Sequence, residues 1–144
     1  MAMTSRVKHQ YDAEPAALFR ALGSAAVVAD GGSDVLSIHQ LSAAYWQGDN
    51  ENADKRFDVV VVVEATTVTT GISLQVQADD AADMASAVAL ASLTDPAPGV
   101  YTFSFNADQI ADQIADPSHM RVFIDLGASD SITYAAWIVP HAKA

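Results

Sequence analysis

Five consecutive valines, Val59 to Val63, limit most sharply what this chain can fold into. β-Branching restricts χ1, so such a run suits a pleated strand and fits a helix poorly. An unbroken apolar run also predicts a strand covered on both faces, in the middle of a sandwich rather than at its edge. The expected strand spans residues 57–65. Similar signals continue almost to the C-terminus, as short β-branched runs alternating with turn residues. Residues 72–78 put Ile72, Leu74 and Val76 on one face and Ser73, Gln75 and Gln77 on the other. A strand over 88–93 stops at Asp95-Pro96-Ala97-Pro98-Gly99, and the next, over 100–105, aligns Tyr101, Phe103 and Phe105. Strands over 120–126 and 132–139 are joined by Gly127-Ala128-Ser129-Asp130.

Between them, residues 106–116 break the β pattern. Asn106 and Gln109 have capping-box spacing, and Phe105 and Ile110 match a hydrophobic staple, so a helix of about two and a half turns is expected. Asp116-Pro117 ends it.

Earlier in the chain, strands are predicted over 25–29 and 35–41, flanking the turn signal Asp30-Gly31-Gly32-Ser33-Asp34. Residues 42–56 read as a long loop. The first 24 residues differ from the rest, since Arg6, Lys8 and Arg20 are three of only seven basic residues. Asp12 caps a helix predicted to reach about Leu22, with Gly23 ending it; an extended arm is the alternative. The expected organisation is therefore an arm or short helix over 1–24 and a β-sandwich domain over 25–144. The fold class is mainly β: an antiparallel two-sheet sandwich, jelly-roll-like, of about eight strands with one or two short helices. Strand order does not follow from one sequence, and an immunoglobulin-like order stays open as the alternative.

Composition narrows the functional classes. At 144 residues and 51% apolar, the chain is long and apolar enough for a single well-cored domain. No stretch approaches ~18 apolar residues, so no membrane span is expected. Polar residues follow the first eight, so no signal peptide is expected either. The absence of cysteine excludes disulfides and thiolate metal sites and suits a reducing cytoplasm. A net charge of −11 with no basic cluster argues against nucleic acid.

Residue types suited to chemistry occur without the spacing it needs. His9, His39, His119 and His141 form no H-x-x-x-H or H-x-H pair. His39, on a predicted strand, is placed either as a cupin ligand would be or as an ordinary surface histidine. Asp49, Glu51 and Asp54 suggest a calcium loop, but Ala53 occupies a ligand position and no glycine follows. Gly31-Gly32-Ser33-Asp34 matches part of a calcium β-roll repeat that occurs only once. Asp108, Asp112 and Asp116 recur every four residues, giving a helix an acidic ridge that is either solvated or a contact for a basic neighbour. Neither a G-x-S-x-G elbow nor a phosphate loop is present. Glutamate is limited to Glu14, Glu51 and Glu64, and only Glu64 falls in a predicted strand. No enzyme, cofactor or metal is expected. Aromatic side chains are better candidates for binding. Trp137 belongs either to a two-sided core or to a subunit contact. Tyr45-Trp46, in a polar segment, is harder to bury.

Residues 72–84, Ile-Ser-Leu-Gln-Val-Gln-Ala-Asp-Asp-Ala-Ala-Asp-Met, resemble the strand, acidic pair and short loop of jelly-roll capsid cement (decoration) proteins of tailed bacteriophages. Arg121-Val-Phe-Ile-Asp-Leu and Ile132-Thr-Tyr-Ala-Ala-Trp-Ile-Val are similar to that family's closing hairpin. Residues 25–41 fit its opening strands more loosely, and the likeness covers about 25–140. The resemblance implies a viral structural protein, made in the host cytoplasm and placed on the outer surface of the virion capsid. Its implied partners are the major capsid protein and itself, as a homodimer or homotrimer. Neither nucleic acid nor membrane is expected as a partner. The leader, through Arg6, Lys8, Tyr11, Phe19 and Arg20, is expected to reach a neighbouring subunit, with Tyr45, Trp46 and Trp137 as further contacts. Deleting residues 1–20 is expected to abolish shell binding while the sandwich still folds. Two other readings stand beside this one. A carbohydrate-binding sandwich of a phage tail or cell surface would stack sugars on Tyr45, Trp46 and Trp137, and a cupin-type enzyme would need bound metal.

Overall fold

The computed structural model describes residues 18–37 and 56–140. Its strands are β1 (Leu18–Arg20), β2 (Gly31–Gly32), β3 (Leu36–Ser37), β4 (Arg56–Thr67), β5 (Ile72–Asp79), β6 (Val88–Thr94), β7 (Gly99–Asn106), β8 (His119–Leu126) and β9 (Ser131–Pro140). Among the described residues one helix, α1 (Ala107–Gln113), links β7 to β8. Every pairing is antiparallel.

The first sheet runs β1-β9-β4-β7 and the second β2-β8-β5-β6, with β3 also on β8. β2 and β3 are halves of one interrupted strand along the same partner. β2 faces Ile124 and Phe123, and β3 faces Met120 and His119. Ser33 fills the gap: its N–H donates to Val122 O at 2.7 Å and its Oγ accepts from Val122 N at 2.9 Å. Counting the pair once leaves eight strands in orders 1-8-3-6 and 2-7-4-5. That is a jelly roll, and it excludes the immunoglobulin-like order.

Alternation sets the core. Val59, Val61 and Val63 point inward with Phe57, against Leu74, Val76, Ile124 and Ile138. Ile132, Tyr134, Ala136 and Ile138 form the buried face of β9, as the pattern predicts. Burial pushes the Tyr134 phenol up to about 12, partly offset by the Arg20 cation. The capping box of α1 is present: Asn106 Oδ1 accepts from Gln109 N at 2.7 Å, and Gln109 Oε1 accepts from Asn106 N at 3.2 Å. Ile110 and Ile114 drop into the core.

Several expectations are corrected. β4 lies between two strands but is not covered on both faces, because Val60 and Val62 are only half-buried and point away from the core. Leu18–Arg20 is a strand on β9, not the end of a helix, so the extended alternative is the one adopted there. Leu18 and Leu22 have helical spacing, but burying Phe19 (1% exposed) against β9 outweighs that local preference. Residues 25–29 form no strand, only a bridge from Val27 to Ile132. Gly31–Gly32, expected as a turn, is β2; the side chain of Arg121 lies across it, 2.9 Å from where a Gly32 Cβ would sit. The helix stops at Gln113, so Asp116 is beyond it and the acidic ridge is shorter than its spacing suggests. The loop over 42–55 and the start of the leader lie outside the described residues.

Candidate docking surface

Both outer faces of a solvated sandwich would ordinarily be polar. Here they differ. On the second sheet, polar side chains are joined in a chain. Arg121 Nε donates to Gln77 Oε1 at 2.8 Å, Gln77 Nε2 to Gln75 Oε1 at 2.8 Å, and Gln75 Nε2 to Ser73 Oγ at 3.4 Å. The Arg121 guanidinium lies 4.8 Å over the Phe123 ring. This face satisfies itself.

The outer face of the first sheet is apolar at its centre. Leu18 pairs with Trp137, Trp137 with Val60, and Val60 with Thr102, making one row across all four strands. The next row is Ala135, Val62 and Val100. Val100 is 68% exposed, whereas the small Ala135 is buried. The third row ends the patch with Val139, Asp58 and Ser104, where Ser104 Oγ donates to Asp58 Oδ1 at 2.6 Å. Directly opposed side chains on one face lie about 5 Å apart, so these residues form one continuous surface. Exposed Glu64 lies beyond Val62 along β4, which puts acidic groups on either side of the valines. Such a surface suits adhesion.

The ends of the sandwich are held by aspartates. Asp130 is 2% exposed; its Oδ1 accepts from Thr69 N, from Thr69 Oγ1 at 2.7 Å and from Thr70 N at 3.0 Å. Its Oδ2 accepts from Gly71 N at 2.7 Å and Gly127 N at 3.1 Å. These bonds, the Gly71 N–H first among them, hold its carboxyl well below the ordinary carboxylate range. Nearby, Asp95 accepts from Ile72 N at 2.8 Å and Asp30 from Leu126 N at 2.7 Å. At the opposite end, burial pushes Asp79 up, but hydrogen bonds from Ser86 N and Asp80 N outweigh it and hold Asp79 low. Asp80 is pushed up by its hydrogen bond with Asp79 and by that carboxylate's charge. These carboxylates fasten turns. Among the described residues, no group of three or more histidine or acidic side chains is placed to hold a metal ion.

The expected contact residues scatter. Trp137 is not in the core; it stands half-buried at the centre of the apolar face. Phe19 is committed to the chain's own core. Arg20 is committed internally as well, with Nε donating to Tyr134 O at 3.1 Å, its Nη2 to Ala25 O, and its guanidinium 4.9 Å over the Tyr134 ring. Arg6, Lys8, Tyr11, Tyr45 and Trp46 lie outside the described residues, as do His9, His39, His141 and the candidate calcium loop. His119 is on the outer side of β8, with Nδ1 2.7 Å from Ser118 Oγ. Val60, Val62 and Val100 were not read as contacts from the sequence. No family model, curated protein or solved structure matches this chain.

Proposed function

We propose that this chain is a capsid cement protein of a tailed bacteriophage, a non-enzymatic module that binds the outside of the head and stabilises the major capsid protein lattice. The observation that carries the reading is the apolar outer face of the first sheet, centred on Trp137, Val60 and Val62. The resemblance of the β5 and β8–β9 segments to cement proteins supports it, and so does the jelly-roll strand order. A shell decorator needs a rigid fold and an adhesive patch. Each contact can be weak, because copies touching several capsomers gain avidity from effective concentration. Selective binding to the assembled shell then stabilises that state by mass action.

Phe19 belongs to the fold, so the informative truncation removes residues 1–16 rather than 1–20. The main test mixes the purified chain with phage heads that lack it and sediments them. The chain co-sediments, and a folded Trp137→Ala variant stays in the supernatant. Equal sedimentation of that variant would exclude the proposed face, and failure of the unmodified chain to bind would exclude the function. The carbohydrate-binding reading retains one supporting observation, the outward position of Trp137. Quenching of tryptophan fluorescence by sugars in the purified chain would favour it over the cement reading.

A further inference from the structure

Sheet edges are a hazard that folded chains normally blunt with short strands, charges, proline, bulges or a covering segment. Most edges here follow that rule. β1, β2 and β3 have three, two and two residues. β6 carries a register break against β5 between Val76 and Gln77.

β7 does not follow it. It is an edge strand of eight residues, Gly-Val-Tyr-Thr-Phe-Ser-Phe-Asn, with no charge and no proline. Its register with β4 runs unbroken from Asn106 opposite Arg56 to Gly99 opposite Val63. Among the described residues no strand pairs with its second edge. The neighbouring edge, β6, is also uncharged, and residues 95–98 join the two, so they share one flank of the sandwich. From Met84 to Asn106 the only charged side chain is Asp95, which is used to accept from Ile72 N.

The geometry points to a second copy of this chain as the occupant of that edge, with β7 pairing antiparallel to β7 of the other copy about a two-fold axis. Two observations select a like partner. Copies carrying −11 repel one another, and this flank is where they can meet without opposing charges of the same sign. An unbulged, uncharged strand is also self-complementary in antiparallel pairing, as a two-fold interface requires. The paired four-stranded sheets become one continuous sheet, and their apolar outer faces lie side by side. The inference rests on the cement reading, whose family resemblance implies self-association, and names the surface for it. That second face doubles the contacts one particle offers to a lattice.

The chain has no cysteine, so the pairing can be read directly. The native mass of the full-length chain is measured across concentration, alongside Thr102→Lys, which places a cation on an exposed β7 position next to the edge. Single cysteines are then placed in turn at Val100, Tyr101, Thr102, Phe103 and Ser104 and oxidised. A two-fold antiparallel pair sets one residue opposite its own copy. The unmodified chain is therefore a dimer, Thr102→Lys is a folded monomer by circular dichroism, and one cysteine position cross-links while its neighbours do not. A monomeric mass at every concentration, a dimer unaffected by Thr102→Lys, or the absence of any position-specific cross-link would overturn the pairing. Capture of β7 by a strand of the capsid protein instead would show as a monomer that cross-links only to heads, and that also overturns it. Shell binding is scored separately, so an unmodified chain that is monomeric at every concentration yet still binds heads counts against this inference alone.

Discussion

The five valines of β4 have two jobs, and one pair of substitutions separates them. Threonine is nearly isosteric with valine and keeps the β-branch, so Val→Thr changes polarity with little change in shape or strand preference. Val61 is fully buried, so Val61→Thr replaces a core methyl with a hydroxyl. The lost methyl costs about 0.8 kcal/mol in transfer free energy. A buried hydroxyl without a ready partner costs about 1–3 kcal/mol more. A central value of about 3 kcal/mol, at about 2–4 °C per kcal/mol for a chain of this size, lowers the melting temperature by roughly 6–12 °C. Val62, one residue on, faces outward and is half-buried. Val62→Thr should stay within about 0.5 kcal/mol of the unmodified chain, as surface substitutions do. Urea unfolding followed by circular dichroism measures both at one protein concentration, with an unchanged denaturant slope confirming that the effect is on stability. Equal loss from both variants would mean that β4 is covered on two sides, and no loss from Val61→Thr would mean that Val61 is not in the core.

Three other outcomes follow from the turns and the helix. The folded Asp130 carboxyl lies below its unfolded value, so its stabilisation is present above the unfolded pKa, about 4, and is lost as pH falls through the depressed folded value. Asp130→Asn should therefore lower stability at neutral pH and flatten the acid limb of a stability–pH curve; an unchanged acid limb contradicts this. A Cβ at Gly127 would sit 2.3 Å from Thr70 Cβ and 2.6 Å from Asp130 Oδ2, so Gly127→Ala should lower the melting temperature by opening the same turn cluster. Asn106→Ala removes the capping box of α1 and should cost about 1 kcal/mol, which urea unfolding resolves.

Much of the fold is legible where local pattern and tertiary environment agree. Alternation in β5, β7 and β9, and the Asn106–Gln109 capping box, are written in consecutive residues. Five identical valines carry no alternation, so their inward and outward sets could not be separated before the register with β7 and β9 was known. Leu18–Arg20 has helical leucine spacing and becomes a strand because β9, more than a hundred residues away, supplies its partner. The glycines of β2 signal a turn locally and form a strand because Ile124 and Phe123 of β8, about ninety residues away, supply their partners. The Asp130 cluster joins turns about sixty residues apart, a distance at which sequence spacing carries no signal. Trp137 was legible as a candidate contact, but the valines completing its surface were not.

Adhesion that reinforces a shell is most directly tested by heating. Phage heads lacking this chain are heated with and without it, and DNA release is followed by a fluorescent dye. The account predicts that release shifts to higher temperature in a saturable manner and that Trp137→Ala abolishes the shift. Release at the same temperature with and without saturating chain would contradict it.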